Sequence, residues 1–139
     1  MERDILFPCV ALAGLTAAVW ARGVHERVSE IRQRRIRPQD LATSGERARL
    51  LARTRSMDNF NNLLELPTLF YVLCIVLALT HEASRGFVIA AWVFVALRVA
   101  HSLIQATYNR VTHRFAAWVA GALWLYGMWA ALALRLASA

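Results

Sequence analysis

Four apolar runs divide the 139-residue chain: Ile5 to Ala21, Leu63 to Thr80, Phe87 to Ile104 and Phe115 to Leu134. Each is 17 to 20 residues long, and a helix of about 20 residues crosses the hydrocarbon core of a bilayer. A backbone in lipid must satisfy its own N–H and C=O groups, which leaves the helix as the solution for runs of this length. The expected fold is therefore an all-α, multi-pass integral membrane protein, a four-transmembrane-helix bundle in one domain over residues 1–139, embedded in the lipid bilayer. The third run is the weakest by hydropathy, because Arg98 interrupts it. A central arginine costs about 2.5–3.5 kcal/mol on insertion scales, so its partner has to come from another helix.

The first run ends without a small-x-small cleavage site and leads into a charged helical pattern, so it is expected to stay in the protein. Beyond it Val24, Val28 and Ile31 recur at helical spacing, and Glu30 can pair with Arg34 one turn on. That helix is expected to end by Pro38, which disfavours helix at Arg37. Thr43, Ser44 and Gly45 read as a loop, and Glu46 to Arg55 as a charged helix entering the second span. Pro67 lies one turn inside that span and leaves the Leu63 carbonyl without its usual donor. The connection from Ala106 to His113 is short, which makes the third and fourth spans antiparallel neighbours, with Thr112 as a candidate cap. Cys9 and Cys74 lie in apolar segments, where a free thiol packs as a small hydrophobe. With no paired-ligand spacing among Cys and His, neither a disulfide nor a metal site is expected.

All sixteen basic residues are arginine, and the formal net charge is +7. Ten of them fall between Arg22 and Arg55, and Arg110 with Arg114 flank the third connection. Their crowding into the first and third connections is the positive-inside pattern, which places those connections in the cytoplasm and both termini outside. Glu26, Glu30, Asp40, Glu46 and Asp58 are interleaved with the arginines, giving a mixed-charge surface rather than a phosphate-binding stripe, so no nucleic-acid partner is expected.

Polar residues inside the spans are the candidates for function, because a charge at membrane depth persists only where it faces protein or a polar cavity. Asn62 and Glu65 share one side of the second span, and Arg98, His101 and Gln105 line one side of the third. At about 1.5 Å per residue, Glu65 lies about 22 Å from Thr80 and Arg98 about 16 Å from Phe87, so both belong to the inner half of the bilayer. Glu65 and Arg98 can then meet as an ion pair that joins two helices, or serve a ligand. Arg114 falls in the first turn of the fourth span, where the helix end already favours anions. With Arg110 and Arg98 it could form a cytoplasm-facing pocket for a small anion, and it could equally be a positive-inside anchor. In the same helix Ala117 with Gly121 and Gly127 with Ala131 are small-x-x-x-small pairs suited to close helix contact. Trp118, Trp124, Tyr126 and Trp129 read first as packing and interface residues.

The strings Asn62-Leu63-Leu64-Glu65, Pro67-Thr68-Leu69-Phe70 and Arg98-Val99-Ala100-His101, with Arg114 thirteen residues after His101, resemble the MAPEG superfamily of membrane-associated proteins in eicosanoid and glutathione metabolism. The resemblance covers nearly the whole chain and implies a divergent, bacterial-type member, in the inner membrane if the source is bacterial. It implies a homotrimer that binds glutathione as co-substrate between neighbouring subunits near the cytoplasmic side. By that likeness Asn62, Glu65, Arg98 and His101 contact or support glutathione, with Gln105, Arg110 and Asp40 as further binding candidates. Arg114 matches the arginine that stabilises the thiolate, and a lipophilic small molecule is the second substrate. The chain departs from the family pattern where arginines precede Asn-x-x-Glu, since Asp58 and Asn61 stand there. It departs again at Gln105, in place of a tyrosine, and at Phe115, in place of a serine.

Two functional classes follow. One is a glutathione transferase or peroxidase acting on a lipophilic electrophile; the other is a non-catalytic membrane protein that holds a lipid or another anionic ligand in the same cleft. A transporter or proton pathway through Glu65 and His101 lacks an inverted repeat. The topology is directly testable. Single cysteines at Ser44 and Ser84, in a background without Cys9 and Cys74, should label from opposite faces with an impermeant reagent, and labelling from one face would end the four-span arrangement.

Overall fold

The computed structural model describes residues 2–51 and 55–138. Four long helices are apolar enough to cross a membrane. They are α1 (Leu6–Arg34), α3 (Arg55–Leu79), α4 (Arg85–Ala106) and α5 (Val111–Ser138), with a 3-10 turn at Pro38–Leu41 and a short α2 (Ser44–Leu50) between α1 and α3. The protein is an all-helical four-span bundle, as its apolar runs require. The helices are longer than the runs because polar residues continue each one past the hydrocarbon boundary.

The ends of the elements differ from the sequence expectation for local reasons. α1 stops at Arg34, before Pro38 can act, because Arg35 takes a left-handed φ of 52°. The N–H groups of Arg35 and Ile36 then donate to the carbonyls of Arg32 and Ile31, closing the helix end. Of the loop expected at Thr43, Ser44 and Gly45 only Thr43 stays outside a helix: its hydroxyl accepts from the Glu46 N–H, Glu46 reaches back to the Thr43 N–H, and this capping box starts α2 at Ser44. α2 ends at Leu50, and the rest of the expected Glu46–Arg55 helix passes through residues 52–54, outside the described residues. Thr112 lies within α5 rather than capping it, since the Arg110 carbonyl accepts the first helical bond, from the Arg114 N–H. α3 continues through Pro67, which is buried.

Three buried seams organise the bundle, each with spacings of three and four residues. In α3 the seam runs Ser56, Asn59, Leu63, Leu66, Phe70, Leu73, Leu77. In α4 it runs Phe87, Ala91, Phe94, Arg98, His101, Gln105, and in α5 Gly121, Leu125, Met128, Leu132. This alternation keeps one face turned inward over 56–77 of α3, 87–105 of α4 and 121–132 of α5. Every seam is apolar toward the 80–84 turn, where Phe70 and Phe94 stack with ring centroids 4.6 Å apart. In α3 and α4 the seam turns polar toward the opposite end, which is the arginine-rich one.

The arginine-rich extension of α1 packs through residues that the apolar pattern did not single out. Val24 and Val28 stay exposed, whereas Gly23 and Glu30 are buried. A Cβ on Gly23 would stand 2.8 Å from Met57 Sδ, so glycine permits the close approach of α1 to α3. Ser56 donates to Glu26 at 2.7 Å and Arg22 to Glu26 at 2.8 Å, while Arg34 pairs with Glu30 at 3.2 Å and donates to the Leu50 carbonyl. The expected Glu30–Arg34 pair is therefore formed, and it carries the Leu50 end of α2. At the other end His81 contacts Glu2, tying the N-terminal segment to the turn between α3 and α4. That hydrogen bond and its charge hold the Glu2 carboxyl below its ordinary pKa and raise His81 above its own.

Candidate functional site

Among the described residues Arg98 is the largest fully buried side chain, 1% exposed. Its Nη2 donates to the carbonyls of Ala117 at 3.3 Å and Trp118 at 3.4 Å on α5, and its guanidinium lies 5.6 Å from the centroid of Phe94. These contacts require that α5 come within touching distance of the guanidinium. Gly121 makes that possible: a Cβ there would stand 2.5 Å from Nη2 and 3.1 Å from Cζ. The Ala117–Gly121 pair thus serves contact within the subunit. The expected Glu65–Arg98 ion pair does not form, for Glu65 is exposed and no nitrogen of Arg98 reaches within 4 Å of it among the described ion pairs. The partner does come from another helix, but it is backbone, and Nε and Nη1 have no hydrogen-bond partner among the described residues.

Beside Arg98 two polar links join α3 to α4. Ser102 donates to Asn59 Oδ1 at 3.1 Å, and the Asn59 amide faces the Ser102 carbonyl at 3.5 Å. One turn away the Asn62 and Gln105 amides meet at 3.3 Å. Asn59 and Ser102 were not among the candidates from sequence. They would have been found by extending the three-and-four spacing of each apolar seam toward the arginine-rich end.

His101 stands between these links and α5. Its Nδ1 is 3.2 Å from the Arg114 carbonyl and its Nε2 is 3.2 Å from Gln105 Oε1. A backbone carbonyl only accepts, so Nδ1 carries a hydrogen. Neutral imidazole then presents Nε2 as an acceptor, which is satisfied when the Gln105 amide turns its NH2 to His101 and to the Asn62 oxygen. Imidazolium is satisfied with both amides reversed. The paired amides can thus follow either protonation state of His101, because amide orientation is set by the network around it.

Asn62, Glu65 and His101 open onto a cavity of 320 Å³ whose α5 wall is Val111, Arg114, Phe115 and Trp118. Arg114 is half-buried and held by Asn109 Oδ1 at 2.9 Å. It is the fourth residue of α5, so the free N–H groups of the first turn lie on the same side of the membrane as its guanidinium. The cavity therefore has a cationic wall of Arg114 and the helix end, an anionic wall at Glu65, and an aromatic side at Trp118. Trp118 belongs to this wall rather than only to the packing. A molecule of about peptide size bearing both an ammonium and an anionic group matches that arrangement.

Of the eight candidates, Asn62, Glu65, His101 and Arg114 line the cavity. Gln105, 1% exposed, supports Asn62 and His101 from behind, and Arg98 is covered by α5. Arg110 is exposed at the start of α5, and Asp40 is exposed on the 3-10 turn; neither lines the cavity within one subunit. The family model described as MAPEG family matches residues 5–134, nearly the whole chain. Neither the curated proteins nor the solved structures yield a match.

If Arg98 is held by α5 rather than by Glu65, the two positions respond differently to substitution. Gly121→Val drives a methyl-bearing carbon into the guanidinium and should destabilise the protein by about 1–3 kcal/mol, the usual cost of overpacking. Glu65→Gln should change stability by no more than about 0.5 kcal/mol, as for an exposed position. Thermal unfolding in detergent checks both, and a Glu65→Gln loss as large as that of Gly121→Val would restore the ion pair.

Proposed function

The chain belongs to the MAPEG family, and from that premise we propose that it is a membrane glutathione transferase or peroxidase that activates the glutathione thiol for attack on a lipophilic electrophile. The observation that carries this reading is the convergence of Arg114, His101, Asn62 and Glu65 on one cavity at the arginine-rich end. Glu65 suits the ammonium group of the peptide and Asn62 its amide groups, while His101, both of whose ring nitrogens are engaged by Arg114 and Gln105, holds that wall in place. Arg114 suits the sulfur, because guanidinium and helix end both favour thiolate over thiol and act more strongly where water is partly excluded. The protein's contribution is deprotonation and positioning of the nucleophile, and the electrophile arrives laterally from the bilayer. The reading includes a homotrimer, with the exposed side of the cavity closed by a neighbouring subunit. It includes residence in the inner membrane if the source is bacterial.

Asp58 and Asn61 favour the second reading, a non-catalytic member holding a lipid or another anion in the cleft. Both are exposed on the first turns of α3, and neither supplies the cation that a tri-anionic peptide would use there. Thiolate formation separates the two readings.

An unperturbed Cys-like thiol has a pKa of about 8.5, and each unit of depression corresponds to about 1.36 kcal/mol of preference for the thiolate. Wild-type protein with glutathione should show the thiolate ultraviolet band at neutral pH. Arg114→Leu should abolish it while native mass spectrometry still finds three subunits. Bound glutathione without the band, or a band that survives the substitution, would reduce Arg114 to an anchor.

A further inference from the structure

A second cavity lies away from the candidate site. It has a volume of 590 Å³ and runs between α4 and α5 on the flank where Phe87, Ala90, Leu123, Gly127, Met128 and Arg135 meet. At about 100° per residue, Arg114, Phe115 and Trp118 project from one side of α5, while Ala120, Gly127 and Ala131 project from the opposite side. The groove is open laterally where the surrounding medium is lipid. Its floor is made of small residues. A Cβ on Gly127 would meet nothing within 4 Å, so the Gly127–Ala131 pair, unlike Ala117–Gly121, has no helix against it in the subunit.

Length and charge identify what fills it. From Ala120 to Arg135 the groove follows α5 for fifteen residues, or about 22 Å at the helical rise. Half of a bilayer with its headgroup region measures about 20–22 Å. The deep part is apolar, and the surface end carries the Arg135 guanidinium and Ser84. Arg135 is half-exposed, lies 5.2 Å from the centroid of Phe87 and reaches Glu82 at 3.4 Å. An apolar trough one leaflet long with a cation at its water-facing end has the polarity profile of a single phospholipid.

We propose that this groove is a binding site for one phospholipid of the arginine-poor leaflet, with an acyl chain over Gly127 and Ala131 and an acidic headgroup at Arg135. The site is independent of glutathione chemistry. A lipid seated there would fill the gap between α4 and α5, the two helices that also hold Arg98.

Delipidated protein in detergent should be titrated with dioleoyl phosphatidylglycerol and with dioleoylglycerol, and binding read by native mass spectrometry. The wild type should take up one phosphatidylglycerol per chain with saturation, favoured about fivefold over dioleoylglycerol, the factor expected for one arginine near a membrane surface. Gly127→Phe should abolish saturable uptake without lowering the melting temperature, and Ala131→Phe tests the same trough one turn on. Gly14→Phe, at a glycine on α1 that also faces open space, should bind as the wild type does. Arg135→Gln should erase the headgroup preference and keep chain binding. Wild-type uptake without saturation would overturn the proposal, as would unchanged uptake by both groove variants. Dissociation of the oligomer by Gly127→Phe, with no lipid on the wild type, would overturn it in favour of a contact between copies of the chain.

Discussion

A guanidinium buried in the middle of a membrane bundle sets the terms for everything around it. Among the described residues Arg98 has no carboxylate within ion-pair distance, and the α5 backbone supplies oxygens to its Nη2. For those carbonyls to reach it, α5 must lie against α4 with no side chain between them, which is why glycine stands at 121. Close approach then brings the first turn of α5 beside His101, whose ring meets the Arg114 carbonyl. The position of Arg114 in the cavity is thus a consequence of how Arg98 is accommodated, one turn further along α5, by the Ala117 and Trp118 carbonyls. A charge kept at this depth is expensive, and here the carbonyl contacts of its Nη2 fix the spacing of the helices that form the site.

The seams of α3 and α4 divide the bundle into two functional halves. Toward the 80–84 turn they carry Leu63 to Leu77 and Phe87 to Phe94, and the packing is apolar. Toward the arginine-rich end the same faces carry Ser56, Asn59, Arg98, His101 and Gln105. Buried amides and hydroxyls need partners, and these find them across α3 and α4 rather than in water. The result is a polar half with defined hydrogen-bond geometry, held by an apolar half that supplies the packing. Asn62 and Glu65 stand just off the seam, which leaves them free to face a ligand.

The spans and their order were legible in the sequence because hydrophobic length is a strong signal in a membrane protein. The Glu30–Arg34 pair was legible from spacing on one helix. The identity of Arg98's partner was not, because charge complementarity points to Glu65 whereas backbone carbonyls and the absence of a Cβ at Gly121 leave little trace in a pattern of residue types. The start of α2 is hidden in the sequence because Thr43 and Glu46 cap a helix that Ser44 and Gly45 by themselves argue against. Four of the eight candidate residues come together at the cavity by virtue of α3, α4 and α5 converging there. Arg110 and Asp40 lie on connecting segments, whose placement hydropathy does not encode.

A catalytic role for the cavity requires that it take glutathione as thiolate. Isothermal titration of glutathione into the protein in nanodiscs, at neutral pH in two buffers of different ionisation enthalpy, measures binding and proton release together. Saturable binding with release of close to one proton per site is the result this arrangement of Arg114, His101 and Glu65 predicts. Absence of saturable binding, or binding with no proton released, would contradict it.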